Sequence, residues 1–273
     1  MNNQFLTTVV NYALSIFPWL IIGTIVAFFL EKKINKNTIT QYFGGMSLKR
    51  LALVQILGMI SPLSIMSFLP IAHELTQMGF NPGVLLSFFI AERAWDLQSF
   101  FIISGLFGLK YAVLNGIAIF TSLTVTGIFL RKEFVHFKVN ETQTQNGFWK
   151  RQGRLLFLVC VGVVLGALLR TFIPEREFQH YAGNPLQSFL ISIVLGFLLY
   201  FGPIVGNYPV AKALSDLGMT HMGTFAFLTV SPILNLIVIT LFGASVGYKK
   251  TLKAFFIYSI SATFMTILFS LPL

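Results

Sequence analysis

The sequence predicts an all-α polytopic membrane protein: an inverted-topology repeat with about six full transmembrane helices and two re-entrant hairpins, drawn from eight apolar segments. Three observations carry this expectation. The 273 residues are 55% hydrophobic and 10% charged, include 30 Phe and have a mean hydropathy of +0.79, which an ordinary soluble domain does not reach. Pro and Gly recur in the same order in the two halves of the chain. The Lys and Arg residues gather on one side of a bilayer only if two of the segments turn back within it.

The segments run Val9–Leu30, Leu51–Met78, Val84–Gly108, Tyr111–Leu130, Leu155–Ile173, Phe189–Leu217, Met222–Gly247 and Ala254–Leu273. Several approach or exceed the roughly 20 residues that cross about 30 Å of hydrocarbon, so helices and not a barrel span the membrane. The first follows MNNQFLTT, which has no basic region, and is too long and Phe-rich for a signal peptide, so it is expected to stay attached. The second holds "ISPLSIMSFLP", residues 60–70, with two prolines and three serines at its middle. Limbs 51–60 and 67–78 would each cover about half the hydrocarbon thickness, with "SPLSIMS" as the turn. The third carries "AERAWD" at mid-depth, and the fourth has no such interruption. The polar stretch 131–154 then separates a first repeat, 1–130, from a second, 155–273. The fifth segment contains the single cysteine, Cys160, which excludes a disulfide framework and a multi-Cys metal site. The sixth repeats the hairpin pattern with "YFGPIVGNYP", residues 200–209, as its tip. The seventh carries Ser231-Pro232, and the eighth closes the chain.

Setting Pro70 against Pro209 also pairs Ala72 with Ala211, Leu75 with Leu214 and Gly79 with Gly218. A one-residue shift then pairs Gly83 with Gly223, Ala91 with Ser231 and Trp95 with Asn235, while upstream Leu57-Gly58 meets Leu195-Gly196. Matched Pro and Gly carry more weight than matched Leu, because they constrain the backbone. Three basic clusters test the topology: Lys32 to Arg50, Arg131 to Arg154, and Lys249 to Lys253, together 14 of the 19 Lys and Arg. Eight full crossings would place the middle cluster opposite the other two, against the positive-inside rule; two hairpins place all three in the cytoplasm. Each half then has three true crossings, which inverts the second copy. A kinked, fully spanning helix is the competing reading of each hairpin.

The runs "FPWLIIGTIVAFFLEKKI", "LGMISPLSIMSFLPIAHELTQMGFNPGVLLSFFIAERAWD" and "YFGPIVGNYPVAKALSDLGMTHMGTFAFLTVSPILNL" resemble the bacterial predicted-permease family of YraQ type, which includes the organoarsenical efflux permeases called ArsP. The resemblance covers nearly the whole chain outside 131–154 and implies an inner-membrane permease. Members that handle trivalent arsenicals show cysteines in the first tip; here those positions read Ser64, Ile65, Met66 and Ser67, and a thiophilic metalloid finds no thiolate there. The family's Ser-Pro in the helix after the tip is kept as Ser231-Pro232 and replaced in the first half by Glu92-Arg93.

Glu92, Arg93 and Asp96 fall near the bilayer centre, where each charge costs roughly 2.5 to 3.5 kcal/mol and therefore faces protein or water. On a continuous helix Glu92 and Asp96 share a face, continued by Ser99, and Arg93 reaches Asp96; a structural salt bridge leaves one carboxylate over as a proton-coupling candidate. The expected substrate or ion pathway is Ser61, Pro62, Ser64, Ser67 and Pro70 of the first tip, Pro203, Asn207 and Pro209 of the second, and Glu92, Arg93, Asp96, Ser231, Pro232 and Asn235 between them. For Asn207 and Asn235, interhelical hydrogen bonding is the equal alternative. Lys212 and Asp216, like His73 and Glu74, read as solvated ends of hairpin limbs. No catalytic residue, cofactor or metal site is expected, and no Walker A or H-E-x-x-H run is present. The expected function is a secondary active exporter of a small solute or ion in the bacterial inner (plasma) membrane, with both termini outside. Its partners are that substrate and the lipid bilayer, without nucleic acid, and homo-oligomerisation is left open. A channel or membrane-complex subunit is the alternative; a membrane enzyme would need its carboxylates at a membrane face rather than at mid-depth.

Overall fold

Every described secondary-structure element is helical, as lipid requires of a segment that must satisfy its own backbone polar groups. The computed structural model describes residues 2–33, 47–60, 75–77, 80–130, 137, 147–201 and 204–270. The first half contains α1 (Asn2–Lys33), α2 (Leu48–Ile60), α3 (Pro82–Ala94), α4 (Leu97–Phe107) and α5 (Leu109–Leu130). The second contains α6 (Phe148–Phe172), α7 (Glu175–Ala182), α8 (Pro185–Leu199), a 3-10 turn (Ile204–Asn207), α9 (Tyr208–Asp216), α10 (His221–Thr229), α11 (Leu236–Val246) and α12 (Tyr248–Ser270). Among the described residues α1, α5, α6 and α12 are each long and apolar enough to cross a membrane; α7 and α8, bent by 108° between them, make a fifth if counted as one span. Large apolar side chains stand outward, such as Leu14 at 70%, Leu198 at 66% and Phe256 at 67% exposure. A water-soluble surface does not carry so much exposed apolar area.

Two of the expected continuous segments are broken. Val84–Gly108 divides at Trp95 and Asp96 into α3 and α4, and Met222–Gly247 divides at residues 230–235 into α10 and α11. The first break contains neither Pro nor Gly. Asp96 takes extended backbone (φ −136°, ψ 167°) and caps α4, its Oδ1 accepting from the Ser99 N–H at 2.6 Å and the Ser99 hydroxyl at 2.7 Å. Asn235 does the same for α11 (φ −145°, ψ 158°), accepting from the Val238 N–H at 2.9 Å. The two breaks differ in length because Pro232 has no N–H to continue α10, which stops at Thr229.

These caps correct the repeat register. Asn81 and Thr220 cap α3 and α10, Asp96 and Asn235 cap α4 and α11, and Gly108 and Gly247 turn the following corners at φ 94° and 92°. All three pairs stand 139 residues apart, the spacing of Pro70 to Pro209, so the one-residue shift is absent and Asn235 corresponds to Asp96 rather than Trp95. Glu92-Arg93 then corresponds to Ser231-Pro232. Packing agrees: a Cβ on Gly58 of α2 would meet Phe88 O at 2.7 Å, Ala91 Cβ at 2.9 Å and Glu92 N at 3.3 Å, and one on Gly196 of α8 would run into Ser231.

Helix directions follow from paired contacts. Along α5, Gly127 lies against Leu51, Gln55 Nε2 donates to Leu123 O at 2.6 Å, and Gly116 lies against Trp95, so α2 and α3 both run antiparallel to α5 and parallel to each other. In the second half the Thr220 N–H donates to Ser188 Oγ at 3.0 Å while Gly196 meets Ser231, so α8 and α10 also run in parallel. The return limb α9 runs beside α6, with Gly162 and Gly166 on the backbone of Gly206 and Pro209 and Arg170 near Asp216. One end of the molecule therefore gathers the starts of α2, α6 and α12 with the ends of α1 and α5. The opposite end holds the Gly108 corner, the Gly218 turn at φ 101° and the start of α1.

Candidate functional site

The ends of α3, α8 and α10 and the starts of α4, α9 and α11 meet midway along the long helices. What brings them there is local chemistry. At the second tip, Asn207 accepts from the Phe201 N–H at 3.0 Å and donates to Phe201 O at 2.8 Å, a two-bond clasp that folds the chain between α8 and α9. Pro209, at the start of α9, seats this tip on the glycine face of α6. Polar nodes fix the surrounding helices: Gln98 of α4 donates to Thr24 of α1 at 3.1 Å and Gln152 of α6 at 2.8 Å, and Asn115 of α5 donates to Thr229 of α10 at 3.1 Å. Tyr258 of α12 donates to Thr229 O at 2.8 Å.

Of the expected pathway residues, Ser61, Pro62, Ser64, Ser67, Pro70 and Pro203 lie outside the described residues. Glu92 and Arg93 sit half-buried in the last turn of α3. The expectation that Glu92 and Asp96 share a helix face is overturned, because the helix ends between them and Asp96 belongs to the next one. Arg93 nonetheless acts on Asp96 through space, and both lie within electrostatic reach of Tyr200 and Tyr208, which bracket the second tip. Tyr208 faces Ser99. These groups come from both halves: the broken helix from the first, the turn between α8 and α9 from the second. Ser231, Pro232 and Asn235 are buried at the other break, with Ser231 against Gly196 of α8.

Asn235 and Asp96 solve one structural problem with different chemistry. The Asn235 amide accepts from the start of α11 and also donates to Ser231 O at 2.7 Å and Pro232 O at 3.1 Å, satisfying carbonyls left over by the unwound end of α10. A carboxylate can only accept. Asp96 supplies the acceptor, and Arg93, in the last turn of α3, supplies the positive charge that a helix C-terminus and a carboxylate both favour.

Tyr200, Tyr208, Tyr258, Asn115, Thr229 and the Gln98–Gln152 node were missed in the sequence. The available signal was a hydroxyl or amide at mid-depth in an apolar run, which Tyr200 and Tyr208 give at either side of a Gly-Pro turn. The hydroxyls of Tyr200 and Ser231 and the Trp95 indole N–H are buried and make no hydrogen bond among the described residues. Such groups are rare unless water or a ligand meets them. Lys212 and Asp216, expected to be solvated, join a partly buried cluster: Asp216 accepts from Tyr12 of α1 at 2.8 Å, pairs with Lys212 at 2.6 Å and lies 3.9 Å from Arg170. No group of three or more His, Cys, Asp or Glu among the described residues is placed to hold a metal ion.

The family model described as predicted permease, ArsP_1, matches the chain twice, over residues 1–132 and 133–271. No curated protein and no solved structure shows a significant match.

Proposed function

Since the chain belongs to the ArsP_1 predicted-permease family, we propose that it is a secondary active exporter of a small solute, working by alternating access between its two halves in the bacterial inner membrane. The observation that carries this reading is the meeting of broken-helix ends and the turn between α8 and α9 around Arg93, Asp96, Tyr200 and Tyr208, midway along the long helices, which fits the way transporters build their sites. Buried hydroxyls that make no hydrogen bond among the described residues, those of Tyr200 and Ser231, are where solute or water would pass. With Asp96 committed to its cap, Glu92 is the carboxylate that carries the coupling proton.

Parallel α2 and α3, and parallel α8 and α10, support re-entrant hairpins, because two parallel helices joined through a half-length return need no full crossing between them. Lys49, Arg50, Lys150, Arg151, Arg154, Lys249, Lys250 and Lys253 share one end, which supports placing that end in the cytoplasm and both termini outside. The absence of thiolate at the first tip argues for a substrate other than a trivalent arsenical. Reconstitution into proteoliposomes tests the proposal: saturable solute flux driven by an imposed pH gradient supports it, ohmic conductance makes the protein a channel, and no flux across metalloids, organic acids and antibiotics removes the transporter reading.

A further inference from the structure

At the end that gathers the basic residues, α1 and α6 part to leave a groove of about 500 Å³. It is lined by Leu20, Ile21, Thr24 and Ile25 of α1 with Trp149, Gln152 and Leu156 of α6. Thr24 and Gln152 are already bonded to Gln98, so the groove offers apolar contact rather than open polar groups. Ile21, Ile25, Trp149 and Leu156 are exposed, which opens the groove sideways to the bilayer. Gly153 keeps it open: a Cβ there would meet no atom within 4 Å. Along the roughly 10 Å from Trp149 to Leu156 a helix about 10 Å across would need about 800 Å³, more than this groove offers, so the space suits an alkyl chain.

Charge says which alkyl chain. Lys150 and Arg154 stand exposed one turn apart on α6, each next in sequence to a groove-lining residue, Trp149 and Gly153; the first turn of α6 has no acidic residue, and neither cation has an ion-pair partner among the described residues. Trp149, 69% exposed, is the amphipathic ring expected at the level of the headgroups. Phe28 of α1 closes the end of the groove against Phe148 and Trp149, at ring distances of 5.4 and 5.7 Å. We propose that this groove binds one acyl chain of an anionic phospholipid from the cytoplasmic leaflet, whose phosphate is held by Lys150 and Arg154. A lipid wedged there would brace α1 against α6, the two helices that relate the halves.

The test uses the purified full chain in detergent, titrated with phosphatidylglycerol or with phosphatidylcholine of the same chains, reading the unfolding temperature. Two basic side chains near the headgroups correspond to roughly a thirtyfold preference for the anionic lipid. Gly153→Leu is expected to abolish the rise with either lipid without lowering the starting temperature, because its new side chain enters empty space. Lys150→Gln with Arg154→Gln is expected to remove the difference between the lipids and leave a weak response to both. Ala244→Leu, on the exposed face of α11, keeps the full response. Native mass spectrometry of the wild type and the double variant gives a second readout, with phosphatidylglycerol retained only by the wild type. Equal stabilisation by the two lipids, an undiminished response in Gly153→Leu, or equal retention in the double variant would overturn the proposal.

Discussion

Exchanging the two caps should have opposite consequences in the two halves. Asp96→Asn keeps a carbonyl oxygen where Oδ1 now accepts two bonds from Ser99, and Asn235 shows that an amide performs the same cap on α11. The fold should lose less than about 0.5 kcal/mol, since Asn and Asp are equivalent caps, while the site loses its charge. Asp96→Ala removes the cap and should cost about 1 to 2 kcal/mol. Asn235→Asp is the harsher change. It deletes two amide donations, each worth about 1 kcal/mol, and turns a carboxylate toward the Ser231 and Pro232 carbonyls, 2.7 and 3.1 Å from the present nitrogen. Pro232 stands where the first half has Arg93, so no cation answers that charge, and the total should reach about 3 to 5 kcal/mol. Adding Pro232→Arg should recover part of the loss by recreating the Arg93–Asp96 combination. Denaturant unfolding of each variant in detergent measures the differences. The reasoning is refuted if Asp96→Asn costs as much as Asp96→Ala, or if Asn235→Asp is tolerated as well as Asp96→Asn.

Glu92→Gln should abolish flux driven by a pH gradient while leaving solute counterflow within about twofold of wild type, a split that proteoliposome assays read directly; retention of full gradient-driven flux would make Glu92 structural. Gly162→Ala drives a Cβ into the Gly206 carbonyl, so the second tip must lift off α6, and a stability loss of about 1 to 3 kcal/mol should accompany loss of flux in the fraction that folds. Asp216→Asn leaves Arg170 and Lys212 facing each other beside Tyr12; with about a quarter of each charged side chain exposed the cost should stay near 1 kcal/mol, with the destabilisation growing smaller as salt is raised. Cys160, exposed on α6, should tolerate Ser with no change in flux or unfolding, and a loss of flux would point to thiol chemistry.

Composition alone decided that this chain lives in a bilayer, because its apolar area exceeds what any interior of its size can hide. Order of Pro and Gly decided that it consists of two related halves, and mid-depth charge in "AERAWD" decided where to look for the site. Each of these is a one-dimensional property. The break at Trp95–Asp96 was not legible, since one helix can stop and the next begin without Gly or Pro when a side chain caps the orphaned N–H groups of the new start, and whether Asp96 does so depends on neighbours that hold α3 and α4 apart. The repeat register was misread for the same reason: Asn81 and Thr220, or Asp96 and Asn235, are different letters doing one job. Tertiary structure alone brought Tyr200 and Tyr208 to Arg93 and Asp96, more than a hundred residues away, and bound Asn207 to its own tip. Burial cost is set by the residue type, which the sequence records; compensation is set by which polar groups the fold brings within reach, which only the packed helices determine.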